Sequence, residues 1–158
     1  MRRGVLSFVT ALLLASPAGA QVCNRTPPPF LPGLFPETVK GLDVQFSSAP
    51  GMGCMAMYRA TESGAIWAMV SADANPSLPL GESAPDLQKH YEGAGKPVIT
   101  VDGWPILVSY LPKGDEFVTL KGAVQLSVLV KNGDQGAKSQ ELATAFLQAL
   151  LPKVPCGG

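Results

Sequence analysis

Residues 96–131 decide the fold, and they read KPVITVDGWPILVSYLPKGDEFVTLKGAVQLSVLVK. Apolar and polar residues alternate along this stretch, which is the pattern of strands that bury one face. Asp102-Gly103 separates the first two runs and is a strong signal for a two-residue hairpin turn. Strands joined by tight turns pair antiparallel. The strands predicted here are Lys96–Val101, Trp104–Leu111, Phe117–Leu120 and Ala123–Lys131.

The remaining elements are predicted on either side of this stretch. Three strands precede it, at Leu42–Ser47, Cys54–Thr61 and Ala65–Ala72. A short helix is predicted after Ser83, which can form a capping box with Asp86. A final helix with one apolar stripe is predicted, with Ser139 as its N-terminal cap and its end before Pro152. The sequence therefore predicts an α+β fold, with an antiparallel sheet of about six or seven strands and both helices packed on one face.

The segment ahead of this domain has two parts. Residues 1–20 are organised as a secretory signal peptide, because a basic start and the apolar run Val5–Ala15 precede small residues that suit a cleavage site. The apolar run is shorter than the roughly 20 residues of a membrane-spanning helix. Residues 21–37 form a proline-rich arm, which is expected to be extended, and 38–158 form a single α+β domain. We expect cleavage after Ala20 and release into the bacterial periplasm or the medium.

Three cysteines occur in the chain: Cys23, Cys54 and Cys156. An exported protein meets an oxidising compartment, where disulfide formation is expected. The ends of a domain often lie close together, which favours a Cys23–Cys156 disulfide with Cys54 free. A Cys23–Cys54 disulfide is the alternative. A lipid-attachment signal has a small residue directly before its cysteine, so Val22 argues against lipid attachment at Cys23.

Composition and charge exclude several classes of function. The formal net charge is zero, so the basic excess of a nucleic-acid-binding protein is missing. The single histidine, His90, leaves little scope for histidine-based metal sites, and the sequence around it offers no nucleophile motif. His90 is therefore predicted to lie on the surface, and a hydrolase built around it is the least favoured interpretation. The pair Asp115-Glu116 is predicted to be solvated in a turn.

Residues 52–57 hold a cluster of sulfur-bearing side chains, from Met52, Cys54, Met55 and Met57. Thioether and thiolate groups are soft ligands that suit Cu(I). In a regular strand, however, Met55 and Met57 lie on one side and Cys54 on the other. Methionine is also a good filler of irregular core space. Packing is therefore the first expectation for this cluster, and a Cu(I) site is the alternative.

A resemblance to a known family rests on three features. They are the order of the elements, the hairpin Asp102-Gly103-Trp104-Pro105 followed by a long alternating strand, and the final helix led by Ser139. Together they resemble small exported domains of the PsbP-like type, including envelope lipoproteins, over roughly residues 38–152. Such domains are mostly non-enzymatic accessory proteins. The resemblance implies a binding or assembly role for an unknown protein or small ligand in the envelope, with no catalytic residues, cofactor or metal.

Overall fold

The computed structural model describes residues 33–47, 54–60, 66–75, 77, 79–131 and 137–154. The predicted signal peptide, Cys23, Cys156 and most of the proline-rich arm lie outside the described residues. The predictions of export, cleavage and disulfide pairing therefore stay predictions.

Within these described residues, eight strands form one antiparallel sheet, in the order β1-β2-β3-β4-β8-β7-β6-β5. The strands are β1 Thr38–Val39, β2 Leu42–Ser47, β3 Cys54–Ala60, β4 Trp67–Ala74, β5 Val98–Val101, β6 Trp104–Leu111, β7 Gly114–Lys121 and β8 Val124–Lys131. The helices are α1 Ala84–Gly93 and α2 Ala137–Leu150, each beside a 3-10 turn, Leu80–Glu82 and Leu151–Lys153. Two runs of hairpin-connected strands meet where β4 pairs with β8 along its whole length.

The α+β class and the antiparallel sheet are confirmed, but the sheet has eight strands rather than six or seven. The strand that the sequence did not reveal is β1, which pairs Thr38 with Asp43 and Val39 with Leu42. Two residues are too few to show an alternating pattern. A second difference is that β7 begins at Gly114, three residues before the predicted Phe117.

The helix α2 covers one face of the sheet with its apolar stripe. Ala143, Phe146, Leu147 and Leu150 are fully buried there. The Phe146 ring meets the ring of Tyr58 on β3 edge to face, with centroids 4.7 Å apart. Full burial of an apolar side chain of this size stabilises the fold by about 1.5–3 kcal/mol. The sheet side of this core is formed by Ala56, Tyr58, Ala68, Val70, Ile106, Val108, Phe117, Leu126, Val128 and Val130.

The helix α1 packs on the opposite face, so the prediction that both helices share one face is wrong. The second cluster consists of the buried residues Leu87, Tyr91 and Leu120, with Leu80, Val98, Trp104 and Leu107 packed against them. Leu107 alternates along β6 with Ile106 and Val108, which belong to the α2 core, and successive strand residues point to opposite faces. Val98 pairs with Leu107 across the β5–β6 ladder and shares its face. Element order alone does not encode which side of an antiparallel sheet a connecting helix crosses.

The two helix starts differ in how well the sequence predicted them. Ser83 caps α1 as expected, since its Oγ accepts a hydrogen bond from the Asp86 amide at 3.5 Å. The helix α2 instead begins at Ala137. Ser139 therefore lies inside the first turn and is 1% exposed, so it is not the cap that the sequence suggested.

The segment before α1 is fixed to the turn between β7 and β8. Gly81 accepts a hydrogen bond from the Gly122 amide at 2.6 Å, and Asn75 Nδ2 donates to the Gly122 carbonyl at 2.9 Å. A Cβ atom on Gly81 would lie 2.6 Å from that same carbonyl oxygen. Such a contact is too short for any side chain, so the close approach requires glycine. This contact positions the start of α1.

Candidate functional site

The face of the sheet opposite α2 carries a group of apolar side chains on its three central strands. We call Met55, Met57, Trp67, Met69 and Leu129 the methionine–tryptophan face. All five are half-buried. Of the two helices that the structure describes, α2 lies on the other side of the sheet and α1 contacts β5 and β6. Large exposed apolar patches rimmed by polar residues mark interaction sites on soluble proteins, so this partly exposed face is the candidate binding surface.

The ladder register fixes the neighbours within this face. Met57 on β3 pairs directly with Met69 on β4, and Met55 pairs with Ser71. Directly opposed residues have Cβ atoms about 4.5–5.5 Å apart, and diagonal neighbours are about 7–8 Å apart. Met55, Met57 and Met69 therefore form a triangle of thioether side chains on two paired strands.

Trp67 lies at one end of the face, two residues before Met69 on the same side of β4. It pairs with Arg59 on β3 and with Lys131 on β8. Both cations are exposed. This end of the face therefore presents an aromatic ring flanked by a positive charge on each neighbouring strand.

The other end of the face is polar and carries acidic groups. Ser71 pairs with Ser127 across β4 and β8, and Ser127 Oγ donates to Glu116 Oε1 at 3.2 Å. Asp73 follows Ser71 on the same side of β4 and is exposed. The apolar side chains thus lie between a cationic end and an acidic end.

The predicted sulfur cluster comes together only in part. Met55 and Met57 share one side of β3, as the alternation predicted. Cys54 pairs with Ala72, so along β3 it occupies a position that alternates with those of the two methionines. The Cys54 side chain and all of Met52 lie outside the described part of the chain, so their roles stay predictions.

Sequence reasoning missed Met69 and Trp67. Their spacing of two residues along an alternating strand was visible. Their place beside Met55 and Met57 depends on the register between β3 and β4, which no local pattern encodes.

His90 is exposed on α1, with its ring centroid 6.1 Å from that of Tyr91. It lines a surface depression with Asp86, Lys89, Gly93 and Ala94. None of these residues carries a hydroxyl or thiol that His90 could activate. Within the described ranges, no three histidine, cysteine or acidic side chains are grouped as metal ligands.

The acidic pair Asp115-Glu116 is not in a turn, which corrects the sequence-based prediction. Leu111 pairs with Gly114, so the turn consists of Pro112 and Lys113. Asp115 lies on β7 and is fully buried, while Glu116 is half-buried and accepts the hydrogen bond from Ser127 described above. The prediction placed the turn too late because Gly114, a strong turn former, begins the strand instead.

Two buried tyrosines support the fold. Tyr58 donates its hydroxyl hydrogen bond to the Pro36 carbonyl at 2.8 Å, and burial raises the pKa of Tyr58 to about 12. Burial also raises the pKa of Tyr91 to about 12, against smaller opposing effects of hydrogen bonds with Thr119 and the Leu120 backbone. Tyr58 thereby ties the described end of the proline-rich arm to the core, and Tyr91 ties α1 to β7.

Lys121 holds the C-terminal end of α2 against the sheet. Its ammonium donates to the Leu151 carbonyl at 2.6 Å and lies 5.7 Å from the centre of the Trp104 ring. Burial lowers the pKa of Lys121. A cation at the end of a helix stabilises the exposed carbonyl groups, so these contacts serve the fold.

Comparison with protein-family models, curated proteins and solved structures finds no match for this chain. In the part of the chain that the structure describes, no helix has both the length and the apolar character needed to cross a membrane.

Proposed function

We propose that this chain is an exported, non-catalytic binding or assembly domain of the bacterial envelope, and that it binds through the methionine–tryptophan face. The observation that carries the proposal is the position of five large, half-buried side chains on one side of the three central strands. The sheet side opposite carries the α2 core. These side chains are therefore additional to those that build the main core.

Removal of water from this face would supply free energy for binding. Each square ångström of apolar surface removed from water contributes roughly 25 cal/mol to binding or folding. Covering Met57, Met69 and Trp67 with a partner would gain that free energy. Methionine side chains are flexible and adapt to partners of different shape, and tryptophan is enriched among the residues that dominate binding interfaces.

Three further features support the rest of the proposal. The N-terminal segment is organised as a secretory signal peptide, which supports a function outside the cytoplasm. His90 is exposed among residues that offer no hydroxyl or thiol, which favours a non-catalytic role over a hydrolase. The PsbP-like resemblance implies an accessory role of the same kind.

Site-specific photo-crosslinking in cells that export the protein tests this proposal. A photoreactive amino acid replaces Leu129 on the face, and in a matched control it replaces Gln148, which is exposed on α2. We expect a discrete crosslinked product from position 129 only, which disappears when Met69→Lys is added. Equal products at both positions, or none at position 129, would reject this face as the binding surface.

A further inference from the structure

We propose that Met55, Met57 and Met69 bind one Cu(I) ion through their three thioether sulfurs. The inference rests on the proposed function, since it uses part of the same face and names a ligand for it. It differs from the cluster suggested by residues 52–57, because Met69 replaces Met52 and Cys54 as a ligand.

The backbone places the three side chains within reach of one ion. Met57 and Met69 are direct partners across the ladder, and Met55 pairs with Ser71, the residue two positions after Met69. The three Cβ atoms are therefore separated by at most about 7–8 Å. A methionine side chain has three rotatable bonds beyond Cα, so the three sulfurs can converge above the centre of the triangle.

The ligand chemistry selects the metal. Three thioethers form a soft, uncharged donor set, which favours Cu(I) over the harder divalent ions that prefer imidazole or carboxylate ligands. Thioethers also form no disulfides, so disulfide formation in an oxidising compartment does not consume these ligands. The half-buried position of the three residues limits the access of competing water.

The charges next to the triangle are of both signs, since the cations of Arg59 and Lys131 are diagonal neighbours of Met69. Arg59 and Lys131 flank Trp67, at one end of the face. Asp73 lies at the other end, on the same side of β4 as Met69 and as the diagonal neighbour of Met55. Because Asp73 is exposed, its carboxylate offers a partly compensating negative charge next to the triangle.

A competition titration against a chromophoric Cu(I) chelator, under reducing and oxygen-free conditions, measures the affinity of the exported and purified protein. We expect one ion per chain. Each of Met55→Leu, Met57→Leu and Met69→Leu should weaken binding on the order of tenfold or more, because leucine has no lone pair to donate. Urea unfolding should show that each variant is folded, since volume-conserving swaps between apolar side chains are usually tolerated.

Two matched controls separate this site from the alternative ligand set. Met52→Leu and Cys54→Ser should leave the Cu(I) affinity unchanged.

Binding should also be constant between pH 5 and pH 8, because thioethers release no proton when they bind a metal, unlike thiols and imidazoles. In NMR spectra, the methyl resonances of Met55, Met57 and Met69 should shift with Cu(I), and that of Met52 should not.

Three results would overturn the inference: no Cu(I) binding above that of the Met55, Met57 and Met69 triple-leucine variant, loss of binding in Cys54→Ser, or unchanged affinity in Met69→Leu. The proposed function is judged separately, by crosslinking from position 129 in the envelope. Absent Cu(I) binding with intact crosslinking would reject the ion alone. Cu(I) binding without crosslinking would reject the docking of a partner and leave the ion site standing.

Discussion

Met57 of β3 and Met69 of β4 are direct partners across an antiparallel ladder, on the side of the sheet that faces away from α2. This one relationship joins two segments that are 12 residues apart in the chain. It creates the centre of the methionine–tryptophan face, with Met55 beside it along β3 and Leu129 beside it on β8. The proposed binding role and the proposed Cu(I) site both follow from it.

The close approach at Gly81 predicts a stability difference between two glycine variants. Gly81→Ala should lower the free energy of unfolding by about 1–3 kcal/mol, because the new Cβ would overlap the Gly122 carbonyl. Gly93→Ala is the matched control, since a Cβ at that position of α1 meets no atom within 4 Å. It should be neutral, or stabilising by up to about 1 kcal/mol. Urea unfolding measures both, and equal stability of the two variants would contradict the docking of this turn.

Tyr58 makes stability depend on alkaline pH. Burial raises the pKa of Tyr58 to about 12 in the folded protein, above the value of 10.0 that is ordinary for a tyrosine in the unfolded chain. The unfolded chain therefore loses its proton first, and stability that is present below pH 10 is lost as pH rises towards 12. Over the whole range, a raised pKa of this size lowers the free energy of unfolding by at most about 2–3 kcal/mol. Tyr91 is raised in the same direction and adds to the loss.

The variant Tyr58→Phe tests this assignment. At pH 7 it should cost about 1 kcal/mol, because the hydrogen bond to Pro36 is lost. Between pH 10 and pH 12 its stability should fall less steeply than that of the wild type. Tyr110→Phe is the control, because Tyr110 is 54% exposed, and it should follow the wild-type curve. Parallel curves for wild type and Tyr58→Phe would contradict the account of Tyr58.

The sequence predicted the sheet more successfully than it predicted the site, for a physical reason. Alternation along β6 and β8 is a local property, so those strands were found from the sequence alone. The side on which α1 packs and the register that brings Met69 beside Met57 depend on contacts between distant segments. Ser139 shows the same limit on a smaller scale. Serine is well suited to capping a helix, but Ser139 lies inside α2 and is buried.

Export predicts a defined N-terminus. The small residues before Gln21 should direct cleavage after Ala20, so the exported protein should begin at Gln21. Intact-mass spectrometry of the exported fraction checks this. A mass that retains residues 1–20, or one that begins at a lipid-modified Cys23, would contradict it.

We predict a disulfide between Cys23 and Cys156 in the exported protein. Peptide mapping without reduction should find the peptides of Cys23 and Cys156 linked. By the loop-entropy argument, such a long closure stabilises the fold by about 4–5 kcal/mol, so reduction should lower stability by a similar amount. A disulfide that includes Cys54 would reject this pairing.

The most direct test of the central claim is oxidative footprinting of Trp67 in two settings, the purified copper-free protein and intact cells that export it. Trp67 is half-buried and should react with hydroxyl radicals in the purified protein. If the methionine–tryptophan face is covered by a partner in the envelope, its oxidation should fall severalfold in cells, while that of exposed Tyr110 stays the same. Equal oxidation of Trp67 in both settings would contradict binding through this face.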